Sequence, residues 1–267
     1  MSMKIACVGV GNIGRAWASI FARGGHEVAL YDEVPEALEA ALPAISDNLS
    51  AMAEAEILEN TDAILSRIRL CDSLSDALKG VDYIQESVIE DLDVKRAIFR
   101  TLDTEAPSEA IIASSVSSLP PSEFMANLSG GARCIVTHPT NPPSLIPVIE
   151  VMLGPATSEE TFEKTSALLE EVGQIPVRLN KEIFGYVLNR LQFALINEAL
   201  HLVESGYVSA VDADKIVKFG LGRRWAFMGP FETNHLNATG GIREYYDKFA
   251  NAIGGILGDL KTEPNAL

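Results

Sequence analysis

His138 and Glu150 are the residues of this 267-residue chain best suited to moving a proton. His138 lies in Thr137-His138-Pro139-Thr140-Asn141-Pro142-Pro143, directly after a strand-like run. Glu150 lies twelve residues further on, among Ile146, Val148, Ile149 and Val151. A carboxylate in so apolar a run is costly unless it is paired. Two strands joined by the proline-stiffened turn would bring the two side chains together. The chemistry this would serve is alcohol oxidation, which removes a hydride from carbon and a proton from oxygen. Imidazole titrates near neutral pH and can accept that proton. A carboxylate behind it fixes the tautomer and stabilises the imidazolium. Taken as isolated chemistry, His138 is equally compatible with a structural histidine bonded to backbone.

A hydride needs an acceptor, and the N-terminus offers a place for one. Val8-Gly9-Val10-Gly11-Asn12-Ile13-Gly14 contains G-x-G-x-x-G, which is weak alone. Here it follows a strand pattern and opens a helix, and Asp32 stands eighteen residues beyond Gly14 at the end of the next strand. That context is the one dinucleotide binding requires. Gly9 would make the tight turn, Gly11 would let backbone approach the pyrophosphate, and Gly14 would let the helix pack on the strand. The helix start at Asn12 and Ile13 faces the phosphates with unpaired N–H groups and a positive dipole end. Asp32 can accept from both adenosine ribose hydroxyls and would repel a 2′-phosphate. Glu33 follows it and no Arg comes soon after. The expected cofactor is therefore NAD rather than NADP.

These residues need a scaffold, and the pattern supplies one. Lys4–Val10 and Glu27–Tyr31 read as strands around a helix over Asn12–Arg23. A long helical region is expected over Pro35–Ser66. Further strands are expected at Ile68–Cys71, Tyr83–Glu86, Ala110–Ala113, Cys134–Thr137, Ile146–Val151 and Ile175–Arg178, with helices at Leu92–Asp103 and Glu159–Val172. This alternation predicts an α/β fold with a Rossmann-like, doubly wound, mostly parallel sheet. From Gly185 onward the periodicity is helical throughout, and Tyr186–Glu204 is apolar on most sides. Such a helix is buried against another helix or another subunit. The boundary is placed near 181: a NAD-binding domain over 1–181 and an all-helical domain over 182–267, with a frayed tail at Thr262–Leu267.

Several polar residues fall where ligands bind in open α/β sheets, beyond the carboxyl ends of strands. Ser114, Ser115, Ser117 and Ser118 follow the Ala110–Ala113 strand, and most of them suit a serine-rich turn. Asn189 sits near the start of the long helix, where it suits either a substrate contact or backbone capping. Bulk properties exclude other classes. Net charge is −16, from 37 acids and 21 bases, which disfavours nucleic acid and anionic membranes. No run approaches the ~18 apolar residues of a membrane span, and no signal-peptide pattern opens the chain. Cys7, Cys71 and Cys134 are scattered, so neither a disulfide framework nor a metal site is expected. A cytoplasmic setting is the expectation.

Longer stretches carry a resemblance. They are His138-Pro139-Thr140-Asn141-Pro142-Pro143, Glu150-Val151, Gly185-Tyr186-Val187-Leu188-Asn189-Arg190-Leu191, and Gly220-Leu221-Gly222-Arg223-Arg224-Trp225-Ala226-Phe227-Met228-Gly229-Pro230 with His235-Leu236-Asn237-Ala238. Over nearly its whole length the chain resembles the 3-hydroxyacyl-CoA dehydrogenase superfamily, and within it the L-gulonate 3-dehydrogenase (lambda-crystallin) branch. The resemblance implies that His138 and Glu150 form the catalytic dyad. It implies that Ser117 contacts the substrate oxygen, that Asn189 completes the site, and that Asn141, in the same loop as the family's histidine-proximal asparagine, contacts the substrate. It also implies NAD contacts from Glu90 and Lys95, a substrate contact from Arg224, and a homodimer. Ser115 and Val116 depart from the pattern of the acyl-CoA enzymes.

Charge separates the branches. Coenzyme A carries several phosphate charges, yet no Lys or Arg occurs between Gly24 and Ser66, while Glu54, Glu56 and Glu59 do. This points to a small hydroxy acid, with Arg223 and Arg224 as candidate carboxylate clamps. Trp225, Phe227 and Phe231 keep carnitine open, because aromatic faces bind quaternary ammonium. An L-3-hydroxyacyl-CoA dehydrogenase is the alternative enzyme. A non-catalytic NAD-binding or structural protein is the alternative of another class. The chain also ends sooner after Asp247-Lys248-Phe249 than the gulonate branch does, which bears on cleft and assembly.

Overall fold

The computed structural model describes residues 2–261 and 263. Its chain divides after Leu188 into two compact units. The tail expected at Thr262–Leu267 lies, Glu263 apart, outside the described residues.

The first unit is built on one eight-stranded sheet. Its strands are β1 Lys4–Val8, β2 Glu27–Tyr31, β3 Ile68–Leu70, β4 Tyr83–Glu86, β5 Ile111–Ser114, β6 Cys134–Pro139, β7 Val148–Leu153 and β8 Ile175–Leu179. They lie in the order β3-β2-β1-β4-β5-β6-β7-β8. All neighbours are parallel except β6 and β7, which run antiparallel. The fold class expected from the sequence is thus the one observed.

Strand ends move where backbone chemistry demands it. Gly9 has φ +98°, outside the β region, so β1 stops at Val8. Pro147 has no N–H to give a ladder, and β7 begins after it at Val148 rather than at Ile146. The helical region over Pro35–Ser66 is three helices, Pro35–Glu39, Ala41–Glu54 and Thr61–Leu65. Left-handed backbone at Glu56 and Asn60 interrupts it. Polar residues then set other helix starts: Asp91 accepts from the N–H groups of Asp93 and Val94, and Ser158 from that of Thr161.

Alternate residues of each strand feed the two faces of the sheet. On one face, Ile5, Cys7, Val28, Leu30, Ile135 and Val151 pack against helices carrying Trp17, Phe21, Ile45, Leu49 and Leu168. On the other, Ala6, Ile84, Ile112 and Val136 meet Phe99, Leu102 and Phe124. Cys7, Cys71 and Cys134 are buried free thiols, and burial pushes Cys71 up to about 11.

The second unit is helical, from the long helix Val187–Glu204 through Ala210–Ile216 and Pro230–Leu236 to Gly241–Asp259. Among its described residues Thr233 and Gly241 alone are buried. No helix of the described residues is long and apolar enough to cross a membrane.

A lysine–glutamate pair is buried inside the first unit. Lys95 Nζ is 2.6 Å from Glu86 Oε1, and the two side chains are 2% and 0% exposed. Glu86 also accepts from the Ser114 hydroxyl at 2.6 Å and the Val88 N–H at 2.7 Å, while Lys95 donates to the Val88 carbonyl at 3.0 Å. Taking one partner away leaves the other charge buried and uncompensated, which costs about 3–5 kcal/mol. Urea unfolding of Glu86→Ala is expected to show a loss of about that size, with part of it recovered in Glu86→Ala/Lys95→Met. A loss well under about 1 kcal/mol would mean the pair is wet and weak.

Candidate active site

The antiparallel register sets His138 of β6 directly opposite Glu150 of β7. Both face the Val136 side of the sheet and are nearly enclosed, at 5% and 4% exposure. His138 Nδ1 lies 2.8 Å from Glu150 Oε2. An ionised carboxylate can only accept, so Nδ1 carries the hydrogen and Nε2 holds the lone pair. The other carboxylate oxygen is taken by the start of the long helix. Oε1 accepts the N–H groups of Val187 and Leu188, each at 2.9 Å. These are first-turn donors with no intrahelical partner, and the dipole there favours an anion. Burial raises the Glu150 carboxyl, but the His138 contact and the two N–H groups outweigh it and hold it below the usual carboxylate range.

Tyr186 completes the enclosure. Its ring meets the His138 ring edge-on at 5.1 Å, and its hydroxyl donates to the Leu119 carbonyl at 2.8 Å. Its φ of +49° turns the chain so that the next two N–H groups reach Glu150. Neither Tyr186 nor the two backbone donors announces itself in the sequence. Backbone N–H groups have no side-chain signature, and the one available hint is Gly185 before a helix, where a sharp turn is expected.

The serine segment after β5 is bound differently from a simple turn. Glu90 Oε2 accepts from Ser117 N–H at 2.9 Å and from its hydroxyl, and Oε1 accepts from Ser118 N–H at 2.8 Å and its hydroxyl. Burial pushes Glu90 up, but these four donors outweigh it and leave it below the usual range. The structure therefore brings Glu90 and Ser117, two expected site residues, into direct contact. Ser114 goes instead to Glu86, and Ser115 accepts from Trp17 Nε1 at 3.1 Å and Gln85 Nε2 at 2.8 Å. Lys95, expected at the cofactor, has its ammonium inside the ion pair with Glu86 and is 1% exposed. Asn141 is exposed in the loop after β6.

At the amino end, the glycine-rich segment fits a dinucleotide. A Cβ on Gly9 would meet the Ser87 carbonyl carbon at 2.6 Å, and one on Gly14 would meet Gly9 O at 1.8 Å. Gly11 has nothing within 4 Å of that position, so its outer side is the open approach to the helix start at Asn12 and Ile13. No side chain caps that helix and no acid stands in its first turn. Asp32 Oδ2 accepts from Val10 N–H and Oδ1 from Val34 N–H, both at 2.9 Å. Each oxygen keeps a second lone pair for a ribose hydroxyl.

Asn189 and Arg224 belong to the second unit. Asn189 is the third residue of its helix and half-buried. Arg223 and Arg224 line a cavity of about 430 Å³ with Phe227, Met228, Thr233, Leu236 and Asn237.

The sequence matches the family model described as 3-hydroxyacyl-CoA dehydrogenase, NAD binding domain, over residues 4–183. It matches the model of the C-terminal domain of the same family over residues 185–254. It is 43% identical over 263 residues to lambda-crystallin of Oryctolagus cuniculus, covering 97% of this chain and 82% of that protein. It is 36% identical over 251 residues to L-carnitine dehydrogenase of Oceanobacillus iheyensis, covering 94% and 81%. Among solved structures, an NAD+ dependent dismutase, 5-formyl-3-hydroxy-2-methylpyridine 4-carboxylic acid 5-dehydrogenase, is 30% identical with a TM-score of 0.88, covering 100% of this chain and 84% of that one. (S)-3-hydroxybutyryl-CoA dehydrogenase of Ralstonia eutropha is 26% identical with a TM-score of 0.76, covering 98% and 96%.

The depressed carboxyl of Glu150 has a pH consequence. A group whose pKa falls on folding adds stability above its unfolded value and loses it as pH drops through the folded value. Against Glu150→Gln, the native chain should be more stable by about 1–3 kcal/mol near neutral pH. The gap should close as pH falls below about 4. Thermal melts of both proteins across that range would show it, and a gap independent of pH would contradict the assignment.

Proposed function

Because this chain belongs to the 3-hydroxyacyl-CoA dehydrogenase family, we propose that it oxidises the C3 hydroxyl of a small hydroxy acid, of the L-gulonate kind, with His138 as the base. It is an NAD-dependent oxidoreductase of this family, acting on a CH–OH group. The observation that carries this proposal is the His138–Glu150 contact, with Nδ1 bound and Nε2 left as the basic nitrogen.

Bound NAD supplies the hydride acceptor. His138 Nε2 takes the hydroxyl proton as the carbon–hydrogen bond breaks, and general-base help of this kind contributes roughly 10²–10⁴ in rate. Glu150, itself held by two N–H groups, keeps the ring in the useful tautomer and stabilises the imidazolium. Ser117 and Asn189 are proposed to position the substrate oxygen, and Asn141 to contact substrate beside His138. Asp32, the segment Gly9–Gly14, Glu90 and Lys95 are proposed to serve the cofactor.

Charge supports a small acid over a CoA thioester. The three helices between β2 and β3 carry no Lys or Arg, and their acids would repel a phosphate-rich ligand. The cavity beside Arg223 and Arg224 supports a carboxylate partner, with Arg224 as the proposed clamp. Carnitine is the second reading. It is favoured by the relatives named L-carnitine dehydrogenase and by the exposed rings of Trp225, Phe227 and Phe231. A purely structural role is disfavoured by an intact dyad whose Glu150 has both oxygens hydrogen-bonded.

Purified protein with NAD⁺ should reduce it in the presence of L-gulonate, followed as NADH absorbance, and less readily with L-carnitine, L-3-hydroxybutyrate or an L-3-hydroxyacyl-CoA. A preference for the thioester overturns the substrate reading. His138→Ala should lower kcat by about 10² or more with NADH binding unchanged. Comparable turnover in that variant removes His138 from the mechanism.

We also propose a homodimer through the helical unit. The helix Val187–Glu204 has no buried residue. Leu191, Phe193 and Phe227 are 66%, 60% and 87% exposed. A unit that buries so little of its own apolar surface lacks a core to stabilise it, and a second copy presenting the same face supplies one. Light scattering at micromolar concentration should give twice the mass of one chain. A monomer there rejects the proposal.

A further inference from the structure

Arg15 follows the third glycine of the nucleotide loop, in the second turn of the helix Asn12–Arg23. Side chains on a helix lean toward its N-terminus, so a long one at this position reaches back over the first turn. It does so here: one guanidinium nitrogen of Arg15 donates to Asn12 Oδ1 at 2.7 Å. That is the side chain's one hydrogen bond among the described residues, although a guanidinium has five N–H donors. Its Nε is moreover buried without an acceptor. That nitrogen is covered by protein, so an arriving ligand would meet the remaining terminal N–H groups of the guanidinium.

The surroundings say what would arrive. The guanidinium is anchored to Asn12, the residue after Gly11, whose outer side is open. The helix has no side-chain cap and no acidic residue in its first turn. The chain as a whole carries a net charge of −16, and Asp32 and Glu33 close the adenosine end. A dianionic pyrophosphate entering this region is opposed by the general field and favoured by the helix dipole alone, unless a cation stands at the loop. Arg15 is the basic residue that the sequence places there.

We propose that Arg15 is a cofactor-binding residue of this chain: its guanidinium, aimed by Asn12, pairs with the pyrophosphate of NAD. This rests on the family's NAD dependence and not on the reading of His138 or of the substrate. The pairing is charge-assisted and suited to the planar fork of arginine. Asn12 acts through Arg15 as a positioning residue.

The test is binding without turnover, so its failure leaves the catalytic reading standing. Dissociation constants of the full-length protein for NADH, ADP-ribose and adenosine would be measured by calorimetry or displacement over a series of KCl concentrations. In Arg15→Ala, NADH and ADP-ribose should bind roughly tenfold or more weakly, while adenosine, which has no phosphate, should change by less than about twofold. The salt dependence of ADP-ribose binding should become shallower, because one cation fewer meets the anion. Arg15→Lys should recover part of the loss and Asn12→Ala should show a smaller one, and these two variants decide the matter if Arg15→Ala does not fold. Unchanged ADP-ribose affinity overturns the proposal. So does an equal loss for adenosine and ADP-ribose, which would mark a structural effect on the whole nucleotide site.

Discussion

A buried carboxylate must have every oxygen satisfied, and the arrangement of the site follows from how Glu150 meets that requirement. It sits in a strand of apolar neighbours at 4% exposure. One oxygen takes the imidazole of His138 and the other takes two N–H groups at the start of the long helix. The first contact requires β6 and β7 to be antiparallel in one register, since a slip of one residue would turn His138 to the opposite face. The second requires the helix to begin at Val187 and not a turn later. A single side chain thus specifies a strand pairing and a helix start, and both serve the ring that it orients.

The same device recurs at Glu90 and Glu86. Glu90 gathers the N–H and hydroxyl groups of Ser117 and Ser118, and Glu86 gathers Lys95, Ser114 and the Val88 N–H. In an open α/β sheet the loops beyond the strand ends have the ligand to hold but few ladder bonds to hold themselves. Here acidic side chains supply those bonds. Glu86 belongs to the end of β4, and its side-chain partners come from β5 and from the helix Leu92–Glu105 between the two strands. The loop between Glu86 and Leu92, which carries Glu90, is therefore fixed at its base by a buried ion pair. An unpaired charge at either place would be worse than an apolar residue, so the acids are tolerated because their networks are complete.

How far the sequence predicts this depends on whether the feature has a local signature. The mostly parallel sheet and the helical stretch that follows it are visible because alternating apolar runs and helical periodicity are local patterns. The pairing of His138 with Glu150 is visible because a lone carboxylate among Ile146, Val148, Ile149 and Val151 demands a partner. The glycine-rich turn is visible because close approach needs glycine, and the 1.8 Å that a Cβ on Gly14 would leave shows why. The burial of Lys95 is not visible: the Leu92–Glu105 helix reads as amphipathic, and nothing local says that a lysine faces Glu86. Nor is the role of Ser114, which sits in β5 and bonds Glu86 rather than lying beyond the strand. The break of the helical region at Glu56 and Asn60 is missed for a related reason, since left-handed backbone at a non-glycine residue has only a weak sequence mark.

The depressed carboxyl of Glu150 also decides how the dyad can work. A carboxylate that imidazolium could readily protonate would share the proton and blunt the base. The two backbone N–H groups oppose this, because they hold the ionised form and lose their acceptor if it is neutralised. On the proposed reading, proton movement is thereby confined to the far side of the ring, at Nε2. Backbone donors serve this purpose better than a second lysine or arginine would. They carry no full charge that would disfavour the imidazolium.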